Sequence, residues 1–205
     1  MKLLVTGGSG FVGQPLISRL MTFTNYKVYA AVRELVTIFP AEVAQFKFEG
    51  LSPATDWHNH LKEVECVIHI AAHVHIMSVA FTNPLNDFRH VNTKATLNLA
   101  KQAAVSGVNR FIYLSSIKVN GEVTLPGRPF TTNNTFIPTD PYALSKYEAE
   151  QGLLSLAKET NMEIVIIRPP LVYGPGVKAN FLTMMKWVYK GIPLPLGAIH
   201  NRRSL

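Results

Sequence analysis

Tyr142 and Lys146 stand four residues apart, a spacing that puts both on one face of a helix. Asp140 suits the N-cap of that helix and Pro141 its first position, so Tyr142 falls in the electropositive first turn. The helix terminus and the lysine charge would both favour a phenolate, drawing the Tyr142 pKa below its reference of about 10. The chemistry expected of such a pair is general base catalysis: removal of a hydroxyl proton as hydride leaves the same carbon, or its return in the reverse direction. Ser116, just beyond a strand-like run, can hydrogen-bond the same reacting oxygen. Plainer readings use the same residues: an aromatic packed on a helix beside a solvated lysine, and a hydroxyl that caps a strand end, with Ser115 the neighbour most easily confused with Ser116.

Thr6-Gly7-Gly8-Ser9-Gly10-Phe11-Val12-Gly13 follows the apolar run Leu3-Leu4-Val5 and precedes an amphipathic segment from Pro15 to Leu20, which reads as strand, glycine turn, helix. Gly7 is free to take angles closed to other residues, Gly10 leaves room for a phosphate against the main chain, and Gly13 lets helix and strand pack closely. The unpaired N–H groups of the helix start suit a pyrophosphate. Glycine turns join strands to helices in many folds, so the spacing alone is either a phosphate cradle or an ordinary turn. No GK[ST] ending follows it, against a P-loop nucleotidase. Arg33 lies about 20 residues past Gly13, where a carboxylate would bind the ribose hydroxyls of NAD and an arginine suits a 2′-phosphate. That favours NADP over NAD, although a solvated arginine, or a one-residue slip to Glu34, keeps NAD open.

The elements that must position these groups alternate along the chain. Apolar runs at 27–33, 43–48, 65–70, 110–115 and 162–168 read as further strands; a short helix at 56–61 and longer ones at 83–106, 141–160 and 178–190 separate or follow them. Gly107 is placed to end the second of these helices. Near-continuous apolar strands with helices between them imply an α/β fold, a Rossmann-type doubly wound parallel sheet with helices on both faces. In such a sheet ligands gather at the carboxyl ends of the strands. The expected division is a dinucleotide-binding domain over 1–176 and the start of a smaller substrate region over 177–205.

Hydrophobic residues make up 47% of the 205 positions, enough for a large core. The net charge of +7 is scattered, with Arg202-Arg203 the one adjacent basic pair, so no nucleic-acid partner is expected; a diffuse positive field suits small acidic ligands. Cys66, the single cysteine, reads as a buried structural thiol. The start is too short in apolar residues for a signal peptide and no stretch is long enough to span a bilayer, so a cytoplasmic protein without membrane contact is expected. Among the histidines, His73 and His75 have no cysteine or carboxylate beside them at ligand spacing, so no metal is expected.

By the fifth strand the chain resembles the extended short-chain dehydrogenase/reductases, specifically their NAD(P)-dependent nucleotide-sugar epimerase/dehydratase group. The resemblance covers the whole chain and rests on the glycine turn, His69-Ile70-Ala71-Ala72, Asn92, Ser115 to Gly121, Tyr142-Ala143-Leu144-Ser145-Lys146 and Arg168 to Gly176. It implies Ser116, Tyr142 and Lys146 as the catalytic set, with Lys146 also on the nicotinamide ribose. It further implies cofactor contacts at Gly7, Gly10, Phe11, Val12, Gly13, Arg33, Leu51, Ala71, Ala72, Asn92, Tyr142, Lys146, Pro169 and Pro170. Leu51 falls where the family often carries Gly-Asp-Leu beside the adenine, but Gly50 stands at the acidic position. Asn180 and Arg203 fall where the family meets the sugar nucleotide's diphosphate, and His75 is a candidate for the sugar pocket, with ordinary packing the plainer role.

The implied activity is 4-epimerisation of a UDP-sugar through a keto intermediate, with an NADPH-dependent 4-keto-reductase as the alternative and a non-catalytic dinucleotide sensor as a third reading. A homodimer and a place in bacterial surface-polysaccharide synthesis are implied in the same way. The Asp-Glu pair that the family's 4,6-dehydratases place after the catalytic serine is here Ile117-Lys118, against dehydration. The family continues past the position of Leu205, so most of the substrate domain is expected to lie outside this sequence, leaving cofactor binding intact, the sugar pocket open and turnover poor.

Overall fold

The computed structural model describes residues 1–74, 83–124, 127–133 and 136–194. The chain divides into two compact units, Met1–Pro169 and Pro170–Leu205. In the first, six parallel strands, β1 (Lys2–Thr6), β2 (Lys27–Val32), β3 (Ala44–Lys47), β4 (Cys66–His69), β5 (Arg110–Leu114) and β6 (Glu163–Ile167), pair in the order β3-β2-β1-β4-β5-β6. The chain winds outward from β1 to β3 and then returns to the other side of β1 to begin β4. The winding therefore reverses between β1 and β4, where a parallel sheet leaves a crevice.

The strands are apolar on both sides because both faces are covered. Leu4 of β1 joins one core with Val67, Phe111, Leu99, Ala103 and Leu153; Leu3 and Val5 join the other with Ile17, Val28 and Cys66. The first core lies under α3 (Thr96–Val105) and α4 (Pro141–Glu159), the second under α1 (Gly13–Phe23). Each fully buried leucine or isoleucine contributes about 1.5–3 kcal/mol. Of the sequence-derived elements, the short helix at 56–61 is a single 3-10 turn, His58–His60, beside the wholly buried Trp57.

The long helix expected over 83–106 is not uniform. It starts as α2 (Pro84–Phe88), passes through a π-helical stretch, Arg89–Ala95, and resumes as α3. Gly107, at φ +80°, closes it: its N–H bonds the Ala104 carbonyl at 3.2 Å and the Val108 N–H bonds the Ala103 carbonyl at 3.0 Å, a Schellman ending. The second unit contains α5 (Ala179–Tyr189), which exposes Met185, Trp187 and Tyr189. No helix among the described residues is long and apolar enough to cross a membrane.

Candidate functional site

β1 ends at Thr6, and the glycine turn carries the chain directly into α1. Gly7 takes φ +75°, and a Cβ there would lie 2.6 Å from the Ala71 backbone nitrogen. A Cβ on Gly13 would strike the Gly7 carbonyl oxygen and the Gly8 backbone. A Cβ on Gly10 would press on the Gly7 carbonyl oxygen at 3.2 Å, with no other close neighbour. Val12, at the N-cap of α1, has no side chain able to accept from the first turn, which leaves that helix start for an anion.

A cleft of about 580 Å³ runs along the carboxyl ends of β2, β1, β4 and β5. At one end it is walled by Arg33, Gly50 and Leu51; in the middle by Gly7, Gly10, Phe11, Val12, Ala71 and Ala72; and at the far end by Leu114, Ser115, Tyr142 and Lys146. The structure thus gathers in one cavity residues that lie as much as 139 positions apart in the chain (Gly7 to Lys146).

α4 begins as its sequence suggests. Asp140 accepts from the Ala143 N–H at 2.9 Å and Pro141 takes the first position. Tyr142 follows, half-buried, with its ring edge-on to Phe88 at 5.8 Å. Its pKa is not lowered as the spacing with Lys146 predicts: burial pushes it up, and Asp140 adds to the rise. Lys146 is turned elsewhere. Only 1% exposed, it donates from Nζ to the Leu114 carbonyl at 2.8 Å and sits 4.4 Å above the Tyr113 ring. Burial draws its pKa down to about 7, partly opposed by Glu150 one turn further along α4. Glu150, fully buried, is held by Arg168 (Nε–Oε1 3.0 Å), whose Nη1 also donates to Asn120 Oδ1 at 3.1 Å.

Ser116 caps the 3-10 turn Ile117–Val119, its Oγ accepting from the Lys118 N–H at 3.3 Å, and it does not line the cleft; Ser115 does. Asn92 does not line it either. Buried in the π-helical stretch, it accepts from the His73 N–H (2.8 Å) and donates to the His73 carbonyl (2.9 Å) and Ser145 Oγ (3.1 Å). Ser145 in turn donates to the Tyr142 carbonyl at 2.7 Å. The asparagine expected at the cofactor instead ties the cleft wall after β4 to the first turn of α4. The Pro169 carbonyl accepts from the Ile117 N–H at 3.1 Å. Pro170 and Asn180 belong to the second unit, where Asn180 is exposed near the start of α5. His75 and Arg203 lie outside the described residues.

The roles of three groups escaped the sequence reading. Glu150 lies four residues past Lys146, and that spacing could have exposed it. His69 bridges Thr6 Oγ1 (2.6 Å) and Thr96 Oγ1 (2.9 Å) at the switch point; burial, reinforced by the Lys146 charge, draws its pKa down to about 3 and keeps it neutral. Arg168 was legible only as part of a family resemblance. Among the described residues no group of three His, Cys, Asp or Glu side chains could hold a metal ion.

The profile of the NAD dependent epimerase/dehydratase family matches residues 3–195. A UDP-glucose 4-epimerase of Vibrio cholerae is 50% identical over 205 residues, all of this chain and 62% of that protein. Among solved structures, MoeE5 in complex with UDP-glucuronic acid and NAD superposes with a TM-score of 0.73 at 25% identity, covering 95% of this chain and 63% of that one. A UDP-glucuronic acid 4-epimerase from Bacillus cereus in complex with NAD shares the fold, with a TM-score of 0.79 at 23% identity over 95% and 65% of the two chains. The chain therefore spans less than two thirds of the length of these relatives. With the glycine turn, the reversed parallel sheet and the Tyr142–Lys146 face all in place, the match over nearly its whole length makes this chain a member of the NAD dependent epimerase/dehydratase family.

Proposed function

We propose that the protein is an NAD(P)-dependent nucleotide-sugar 4-epimerase that interconverts a UDP-sugar at C4, with this chain supplying its dinucleotide site and proton-transfer residues. The observation that carries the reading is that Tyr142 and Lys146 open into the same cleft as the glycine turn at the sheet's switch point. The residues fit a dinucleotide: Gly10 lines the cleft without a side chain to fill it, and the uncapped start of α1 offers main-chain donors to an anion. Support for the substrate class and for NAD comes from the Vibrio cholerae relative and from the ligands named with MoeE5.

The bound dinucleotide would take up a hydride and give it back. The chain's part is to place and to move a proton. Gly7, Gly10, Phe11 and Val12 fix the pyrophosphate, Ala71 and Ala72 form the wall between the two nucleosides, and Leu51 with Arg33 meets the adenosine side. Lys146 holds ribose hydroxyls. Tyr142, with a raised pKa, is neutral at pH 7 and needs a cation to become a base; Lys146, one helical turn away, supplies it. Ser116 Oγ, which accepts from the Lys118 N–H and keeps its own proton to donate, is the group assigned to the C4 oxygen while Tyr142 takes its proton, and Tyr142 returns that proton once the keto-sugar has turned over. Asn180, Arg203 and His75 serve the sugar nucleotide in this reading, which also carries a cytoplasmic homodimer.

One observation favours a second reading. Arg33 lines the adenosine end of the cleft, where its charge suits the extra phosphate of NADP, the cofactor of a 4-keto-reductase. Incubating the full-length protein with UDP-sugars and UDP-keto-sugars, with and without NADPH, separates the two. Interconversion of UDP-sugars without net NADPH use is the expected outcome; stoichiometric NADPH loss on keto-sugars would establish the reductase instead.

A further inference from the structure

Two adjacent serines follow β5, and they differ in what their hydroxyls meet. Ser116 Oγ has a backbone partner in the Lys118 N–H. Ser115 is 4% exposed, and its Oγ has no hydrogen-bond partner among the described residues. A buried hydroxyl left unpaired costs stability, and alanine at the same place would avoid that cost. Yet this serine borders the cleft, next to Leu114, whose carbonyl receives the Lys146 ammonium. Its backbone is fixed by the Ser115 N–H to Ile167 carbonyl bond at 2.7 Å, so the side chain is carried on a rigid strand end.

We propose that Ser115 Oγ is a ligand-binding group of the cleft, completing its hydrogen bonds on the nicotinamide-ribose half of a bound dinucleotide. The proposal rests on the dinucleotide reading given above. The sheet order decides which half. Arg33 follows β2, the glycine turn follows β1, and Ser115 follows β5 on the far side of β4. At about 4.8 Å per strand, β2 and β5 stand about 14 Å apart, the scale of two linked nucleotides rather than one. With the pyrophosphate over β1, one nucleoside lies toward Arg33 and the other reaches Ser115. A hydroxyl can donate and accept, so a ribose oxygen or a carboxamide nitrogen would satisfy it equally.

The test is calorimetric titration of wild type and Ser115→Ala with NAD+ and with AMP, together with the Tm of each protein without ligand. The expected result is NAD+ affinity about 3- to 10-fold weaker in Ser115→Ala, AMP affinity unchanged, and a ligand-free Tm equal to or above wild type. That combination separates a ligand-facing hydroxyl from a structural one, whose loss would lower the Tm. Unchanged NAD+ affinity overturns the proposal, as does an equal loss for NAD+ and AMP, which would report general damage to the cleft. If wild type binds neither NAD+ nor NADP+, the dinucleotide reading itself fails, and the role of Ser115 with it.

Discussion

The middle of the cleft and its β5 end solve different problems with different parts. At the glycine turn the limiting quantity is space: Gly7 and Gly13 stand where a Cβ would meet backbone, and nothing there carries a charged side chain. At the β5 end the limiting quantity is the protonation state. Lys146 is buried to the point where its pKa falls to about 7, Tyr142 is pushed above its ordinary value, and the Ser115 hydroxyl has no partner among the described residues. The first region is locally relaxed and specified by main-chain shape. The second departs from the stable arrangement at three adjacent groups, as sites of chemistry tend to do.

Tyr142→Phe tests the contrast most severely. Loss of the proton-transfer group should lower UDP-sugar turnover by about 10²- to 10⁴-fold while NAD+ affinity stays within about 3-fold of wild type. Sugar chemistry unaffected by Tyr142→Phe would move the protein to the dinucleotide-sensor reading. A pair of glycine variants sharpens the other side. Gly13→Ala forces a Cβ into the Gly7 carbonyl and Gly8, costing about 1–3 kcal/mol, or about 2–4 °C of Tm for each kcal/mol; Gly10→Ala, whose Cβ meets only the Gly7 oxygen at 3.2 Å, should lower the Tm less and weaken NAD+ binding. Equal thermal losses in the two variants would mean that Gly10 is structural.

A pH dependence tests the β5 end from another side. Unfolded, Lys146 keeps its proton to near its ordinary value of 10.5, whereas folded it keeps it only to about 7. Between those values the unfolded state binds the extra proton, so this group makes the fold more stable as pH rises from about 7 toward 10. Below about 7 the full penalty of the buried charge is present. Lys146→Met lacks this contribution, so thermal melts at pH 7 and pH 9.5 should show wild type gaining on the variant at the higher pH. A constant gap between them would mean that Lys146 is solvated.

The sheet was legible because its signals are local: apolar runs of four to six residues separated by helical patterns, and punctuation such as Asp140-Pro141 and Gly107 that the structure uses as caps. The family likewise followed from residues at fixed spacing, and the comparisons bear it out. Burial was not legible. Lys146 reads as a solvated partner for Tyr142 because lysine on a helix usually is one, and its turn toward Leu114 depends on β5 passing beneath α4. The direction of the Tyr142 shift was missed for the same reason. Asn92 reads as a ligand contact, whereas its side chain is bonded to His73 and Ser145, partners that no local spacing announces.

The π-helical stretch Arg89–Ala95 also fixes how the rest of its helix may vary. A π turn accommodates one residue more than an α turn, so deleting a single residue within it would restore regular α spacing at little cost to the helix itself. The flanking turns would then keep their phase, whereas deleting a residue from the regular turns of α3 would swing everything before it by about 100° around the axis. Phe88, packed against Tyr142, and Arg89, paired with Glu148 through Nε at 2.8 Å, would leave α4. Seven residues that hold no candidate proton-transfer group thus absorb a one-residue change in length that the regular turns beside them cannot, and the facing of one helix onto the catalytic face of another is preserved through them.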